Sequence, residues 1–81
     1  MVDVFQYTDY RLYLRDWLED YRRVHPAFTQ RLWASRLNMD PGFLVRILQG
    51  TALLSLGKLD DFVRVLKLEG RAAEYFKQMV R

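Results

Sequence analysis

Apolar residues recur three and four apart along nearly the whole chain, which is the spacing of buried helix faces. Tyr10, Leu14, Trp17, Leu18 and Tyr21 fall on one stripe, with Tyr13 at its edge. Arg11, Arg15, Asp16, Glu19, Arg22 and Arg23 lie mostly away from it. The pattern predicts an amphipathic first helix over about 9–25. Thr8 is placed to cap it, and Asp9 in the first turn suits the positive end of the helix. His25-Pro26 ends it, because the residue before a proline avoids helical angles. His25 has no partner at ligand spacing and reads as a terminal cap or surface residue. Ahead of this helix, Val4, Phe5 and Tyr7 are too apolar for a loose tail and are expected to pack on the helices.

A second helix is expected over 30–37, with Thr29 as its cap and Leu32, Trp33 and Leu37 as its buried side. Ala34 is small enough to admit a neighbouring backbone. Phe28 can staple the start of this helix onto Trp33 or its neighbours. Asn38-Met39-Asp40 breaks the pattern. Asp40 as cap and Pro41 as first residue then open a third helix over 41–49, whose apolar positions are Phe43, Leu44, Ile47 and Leu48. Gly50 closes it in the left-handed turn that glycine favours.

Thr51 to Ser55 reads as a loop carrying buried leucines. Ser55 can cap a fourth helix over 56–67, with Leu56, Leu59, Phe62, Val63 and Leu66, and then Leu68, turned inward. Lys58, Asp60, Asp61, Arg64 and Lys67 make its wet side. After a break at Glu69-Gly70, a fifth helix over 71–80 carries Ala72, Tyr75, Phe76, Met79 and Val80. There is no strand pattern, internal repeat or long linker, so the expectation is one all-α domain spanning 1–81.

Composition narrows the function classes. About half of the 81 residues are hydrophobic, which excludes disorder. There is no cysteine, and His25 is the only histidine, so the common soft metal-ligand sets are absent. No cofactor or metal is expected. No apolar run approaches the roughly 20 residues needed to cross a bilayer, and the N-terminus lacks a secretion signal. A cytoplasmic domain without a membrane partner is the expectation. No nucleophile stands beside a base, no glycine-rich loop could cradle phosphate, and the adjacent pairs Asp60-Asp61 and Glu19-Asp20 point in different directions on their helices. An enzyme is therefore not expected.

The net charge is +3, from thirteen basic and ten acidic residues. The first helix is neutral. The 29–50 stretch carries Arg31, Arg36 and Arg46 against Asp40 alone, and the C-terminal helix is also basic. Basic surface is the footprint of phosphate binding, though solvated helices also carry it.

Two short helices joined by so brief a turn must cross steeply. Such a pair is either a helix-turn-helix, whose second helix can enter a DNA major groove, or an ordinary helix pair in a small bundle. Thr29-Gln30, Trp33-Ala34, Leu37, Met39, Leu44, Ile47 and Gly50 fall where the λ-repressor-like (Cro/C1, XRE-type) helix-turn-helix pattern has its matching residues. So do Leu56, Leu59, Phe62, Val65-Leu66 and Leu68, and the resemblance covers about half of the chain. The opening FQYTDYRLYLRD, the HPAFTQR before the second helix, the PGFL segment and the later LKLEGRAAEYF resemble more closely a bacterial family of multi-domain transcriptional regulators. There, a domain of this kind precedes a longer region.

The resemblance implies a five-helix λ-repressor-like bundle that is the N-terminal piece of a longer protein. It implies double-stranded DNA as partner, bound by a homodimer on paired half-sites. In such domains the start of the second helix touches phosphate, here Thr29 and Gln30 with Arg31 beside them. Base reading falls to Pro41, Gly42, Val45 and Arg46. Gln49 and Thr51, on either side of Gly50, would touch the DNA backbone. There are departures. Asn38 stands where the pattern has glycine, and Leu48 where it has glutamate. Thr51-Ala52-Leu53-Leu54 stands where basic residues usually follow the glycine. An alternative reading is a protein-interaction domain that keeps the repressor-like fold, has lost DNA binding, and uses a surface at Leu53 and Leu54.

Overall fold

The computed structural model describes residues 2–81, and among these every regular element is helical. Five α-helices follow in order: α1 (Tyr10–Val24), α2 (Gln30–Arg36), α3 (Pro41–Gln49), α4 (Leu59–Leu66) and α5 (Gly70–Val80). Short 3-10 turns precede α1, at Val4–Gln6, and α4, at Leu56–Lys58.

The start of α1 lies one residue beyond the expected cap. Asp9, not Thr8, is extended and accepts the Arg11 amide at 2.9 Å. A carboxylate there satisfies an orphan donor and also places negative charge at the helix's positive end, which a hydroxyl does not. Tyr13 is central to the core, not at its edge, with 1% of its surface exposed. Tyr13 is covered from two sides, by Tyr7, with ring centroids 5.3 Å apart, and by Phe76 at 6.0 Å. The N-terminal segment does pack as expected. Val4 is buried, Phe5 lies 5.2 Å from the Tyr75 ring, and the Tyr75 hydroxyl donates to the Tyr7 carbonyl.

Trp33 is the hub of the core. It stacks on Trp17 at 5.4 Å and meets Phe62 edge-on at 6.5 Å, and Phe62 stacks on Phe76 at 6.4 Å. This chain of rings ties α1, α2, α4 and α5 together, and burying each large side chain contributes about 1.5–3 kcal/mol. Leu32, expected inside, is 40% exposed. A helix of only seven residues buries one narrow strip, and Trp33, Ala34 and Leu37 fill it. Phe28 is buried as a staple should be, with Arg36 of α2 over its ring at 5.1 Å and Tyr21 of α1 edge-on to it at 4.9 Å.

The start of α4 also differs from the expected helix over 56–67. Ser55 makes no side-chain capping bond, and Leu56 is 63% exposed. Residues 56–58 wind as a 3-10 turn of three residues per turn, which rotates Leu56 off the α4 stripe. The helix ends at Leu66, with Lys67 in the left-handed region at φ 58°.

Candidate nucleic-acid interface

The α2–α3 pair is shaped by local chemistry at each of its ends. The Thr29 hydroxyl accepts the Leu32 amide at 3.1 Å, and the Asp40 carboxylate accepts the Phe43 amide at 3.1 Å ahead of Pro41. Between the helices Asn38 is left-handed, at φ 55°. The Asn38 amide then reaches the Ser35 carbonyl and the Met39 amide reaches Ala34, the two bonds of a Schellman closure. Gly50, at φ 83°, closes α3 in the same way, with the Thr51 amide on the Arg46 carbonyl at 2.9 Å.

Basic side chains from other elements hold the carbonyl ends of both helices. Lys58 donates to the Asn38 carbonyl at 2.6 Å and to Leu37 at 3.4 Å, and Arg64 donates to Arg36 at 3.1 Å. Asp61 gathers these two cations, at 3.5 Å and 3.1 Å. The hydrogen bond from Arg64, helped by the charge of Lys58, holds the Asp61 carboxyl below its ordinary range. At the end of α3, Arg11 reaches across from α1 to the Ile47 carbonyl at 3.2 Å and the Ala52 carbonyl at 3.5 Å. Arg11 was expected on the wet side of α1. It is instead half-buried, because the Ile47 carbonyl at the negative end of α3, which already accepts the Gly50 amide, has a second lone pair within reach of its long stem.

With its ends held and Leu44, Ile47 and Leu48 buried, α3 turns one face outward. Gly42, Arg46 and Gln49 are exposed there, and Pro41 and Val45 are half-buried. Thr29, Gln30, Arg31 and Thr51 are exposed as well. Two of their hydroxyls already serve the fold, since Thr29 caps α2 and Thr51 donates to the Arg46 carbonyl at 3.2 Å.

The expected site residues divide in space. Gln30, Val45 and Gln49 come together along one open groove of about 850 Å³. Leu18, Pro26 and Leu48 also line it, and α1 forms the opposite wall with Arg15, Glu19, Arg22 and Arg23. Gly42 and Arg46 belong to the exposed side of α3, while Thr29, Arg31, Pro41 and Thr51 do not line the groove. The arginines of α1 were not among the expected site residues. The signal for them was present: Arg15, Leu18 and Arg22 stand at i, i+3 and i+7, one stripe beside the apolar seam.

The patch expected at Leu53 and Leu54 is split. Leu54 is buried, with its amide donating to the Tyr10 hydroxyl at 3.4 Å, whereas Leu53 is 77% exposed. The described residues contain no cluster of metal-binding side chains and no helix long and apolar enough to cross a membrane. No protein-family model, curated protein or solved structure matches the chain.

Proposed function

We propose that this domain binds double-stranded DNA through the outward face of α3, as the reading head of a bacterial transcriptional regulator, with α2 and α3 forming a helix-turn-helix. The observation that carries the reading is the combination of a firmly held α3 with an unobstructed polar face. Its carbonyl end is fixed by Arg11, its amide end by Asp40, and Gly42, Arg46 and Gln49 stay exposed between them. An α-helix with side chains is about 10–12 Å across, and the B-DNA major groove is about 12 Å wide. Arg46 would contact guanine O6 and N7, and Gln49 can pair with adenine. Val45 offers a methyl-sized apolar contact to thymine, and Gly42 lets the backbone approach closely. Thr29, Gln30 and Arg31 would meet phosphates beside them, and Thr51 those after α3. Two copies would occupy paired half-sites.

The test is duplex binding by the intact chain across a salt series. The expected result is affinity that falls steeply as salt rises, with Arg46→Ala costing about 1–3 kcal/mol at one base position. Affinity unaffected by salt would refute phosphate-based docking. A second reading, a protein-interaction domain, is favoured by one observation: Leu53 and Leu56 stand 77% and 63% exposed on the segment after α3. A largely apolar contact there would survive high salt and be lost in Leu53→Asp.

A further inference from the structure

We infer that Arg15 and Arg22 of α1 are the phosphate clamp of this domain, replacing the cations missing after Gly50. The inference rests on the DNA reading above and adds the surface that would grip the backbone. A reading helix in the major groove needs phosphate contacts on its flanks to fix register. Thr51-Ala52-Leu53-Leu54 provides no cation on one flank. The other flank is the groove shared by α1 and α3, in which Arg15 and Arg22 face Gln49 and Gln30.

Six of the thirteen basic side chains already have partners, and of the others Arg15 and Arg22 are the two that line the groove. Arg11, Lys58 and Arg64 hold helix carbonyls, Arg36 lies over the Phe28 ring, and Lys77 pairs with Asp60. Among the described residues, the guanidinium groups of Arg15 and Arg22 form neither an ion pair nor a hydrogen bond. Arg23 is less available, since Asp20 lies 3.8 Å from it on the side of α1 that also carries Asp16. Seven residues of helix separate Arg15 from Arg22, a rise of roughly 10 Å. On their long flexible stems the two guanidinium groups can therefore reach separate phosphates of one strand running beside α3. Glu19 stands in the same groove and opposes the phosphate charge. It should weaken binding to every duplex, whatever its sequence.

The experiment measures anisotropy of a short fluorescein-labelled duplex of mixed sequence, titrated with the intact chain over a salt series. Arg15→Gln and Arg22→Gln should each lower the slope of log affinity against log salt by about 0.9, and the double variant by about twice that. Arg15→Lys should keep the parent slope, and Arg71→Gln on α5 should leave it unchanged. Glu19→Gln should raise affinity for every duplex alike. Both arginines are exposed, and circular dichroism melts check that the variants stay folded. If the parent binds with a steep slope that the two substitutions leave unchanged, the clamp assignment is wrong while the DNA reading survives. A polyglutamate peptide bound as tightly as the duplex, through the same two arginines, would overturn the clamp in favour of a general anion groove. If the parent binds no duplex, both fall.

Discussion

Arg11 offers the sharpest stability test, because one side chain joins the first turn of α1 to the last turn of α3. Replacing it with methionine keeps most of the stem and removes the charge and the donors. The bond to the Ile47 carbonyl, at 3.2 Å, is charge-assisted and half-buried. Such bonds contribute about 1.5–3 kcal/mol, and the lower figure suits a site open to water on one side. The contact with the Ala52 carbonyl, at 3.5 Å, is too long to add much. A cation at the negative end of a helix adds about 0.3–1 kcal/mol. Together these terms give about 2 kcal/mol. In a domain of this size each kcal/mol moves the melting point by about 4–8 °C, so Arg11→Met should lower it by about 8–16 °C. Arg11→Lys should recover part of the loss, because it restores the charge without the fork. Urea unfolding followed by circular dichroism reads both variants, with Arg22→Met, which loses no protein partner, as the control. A midpoint for Arg11→Met within error of the parent would refute the anchoring role.

Other consequences follow from the same geometry. Gly50→Ala should destabilise by about 1–2 kcal/mol. The added Cβ would lie 3.6 Å from the Arg11 Nε, an ordinary contact, so the cost comes from the left-handed backbone at φ 83° and not from a clash. Lys67→Gly should act in the opposite direction, stabilising by up to about 1 kcal/mol, because Lys67 occupies the same region at φ 58° with a side chain. Denaturant midpoints decide both, and a shift of the wrong sign in either would contradict the strain argument. Burial, reinforced by the neighbouring Tyr7 and Asp3, pushes the Tyr13 phenol up to about 12, against an ordinary value near 10 in the unfolded chain. Tyr7 is raised to about 12 as well, first by its hydrogen bond to Asp16. Stability from both groups is thus complete below about pH 10 and is lost as pH climbs toward 12. Tyr13→Phe should flatten this alkaline decline in a pH series of melting points, and an unchanged decline would show that Tyr13 does not cause it.

How much of this was legible in the residues depended on whether the cause was local. Thr29, Asp40, Asn38 and Gly50 signal their caps and turns by chemistry that acts within a few positions, and all four do what their types suggest. Lys67 closes α4 with no such signal: the Lys67 and Leu68 amides bond back to the Arg64 and Val63 carbonyls with Lys67 in a conformation that its own type disfavours. Tyr13, Leu32 and Leu56 were misplaced because a single stripe cannot report how many layers will cover a helix or where a 3-10 turn shifts its phase. For the candidate interface, the outward residues of α3 could be read from periodicity, and a role for them only from the resemblance. The anchoring by Arg11, Lys58 and Arg64, and the groove that Arg15 and Arg22 share with Gln49, could not. They arise from contacts between residues 20 or more positions apart, or from faces of separate helices. A charged residue drawn on a helix wheel as solvent-facing cannot show which carbonyl it will find.

The central claim is that the outward face of α3 reads bases, and Arg46 bears most of that claim. The most direct measurement is to select preferred duplexes from a randomised pool with the intact chain, then repeat the selection with Arg46→Ala. The account expects an ordered motif from the parent and the loss of preference, usually for guanine, at one position per half-site, with phosphate-driven affinity retained. The same motif recovered from both proteins, or no enrichment from the parent, would contradict it.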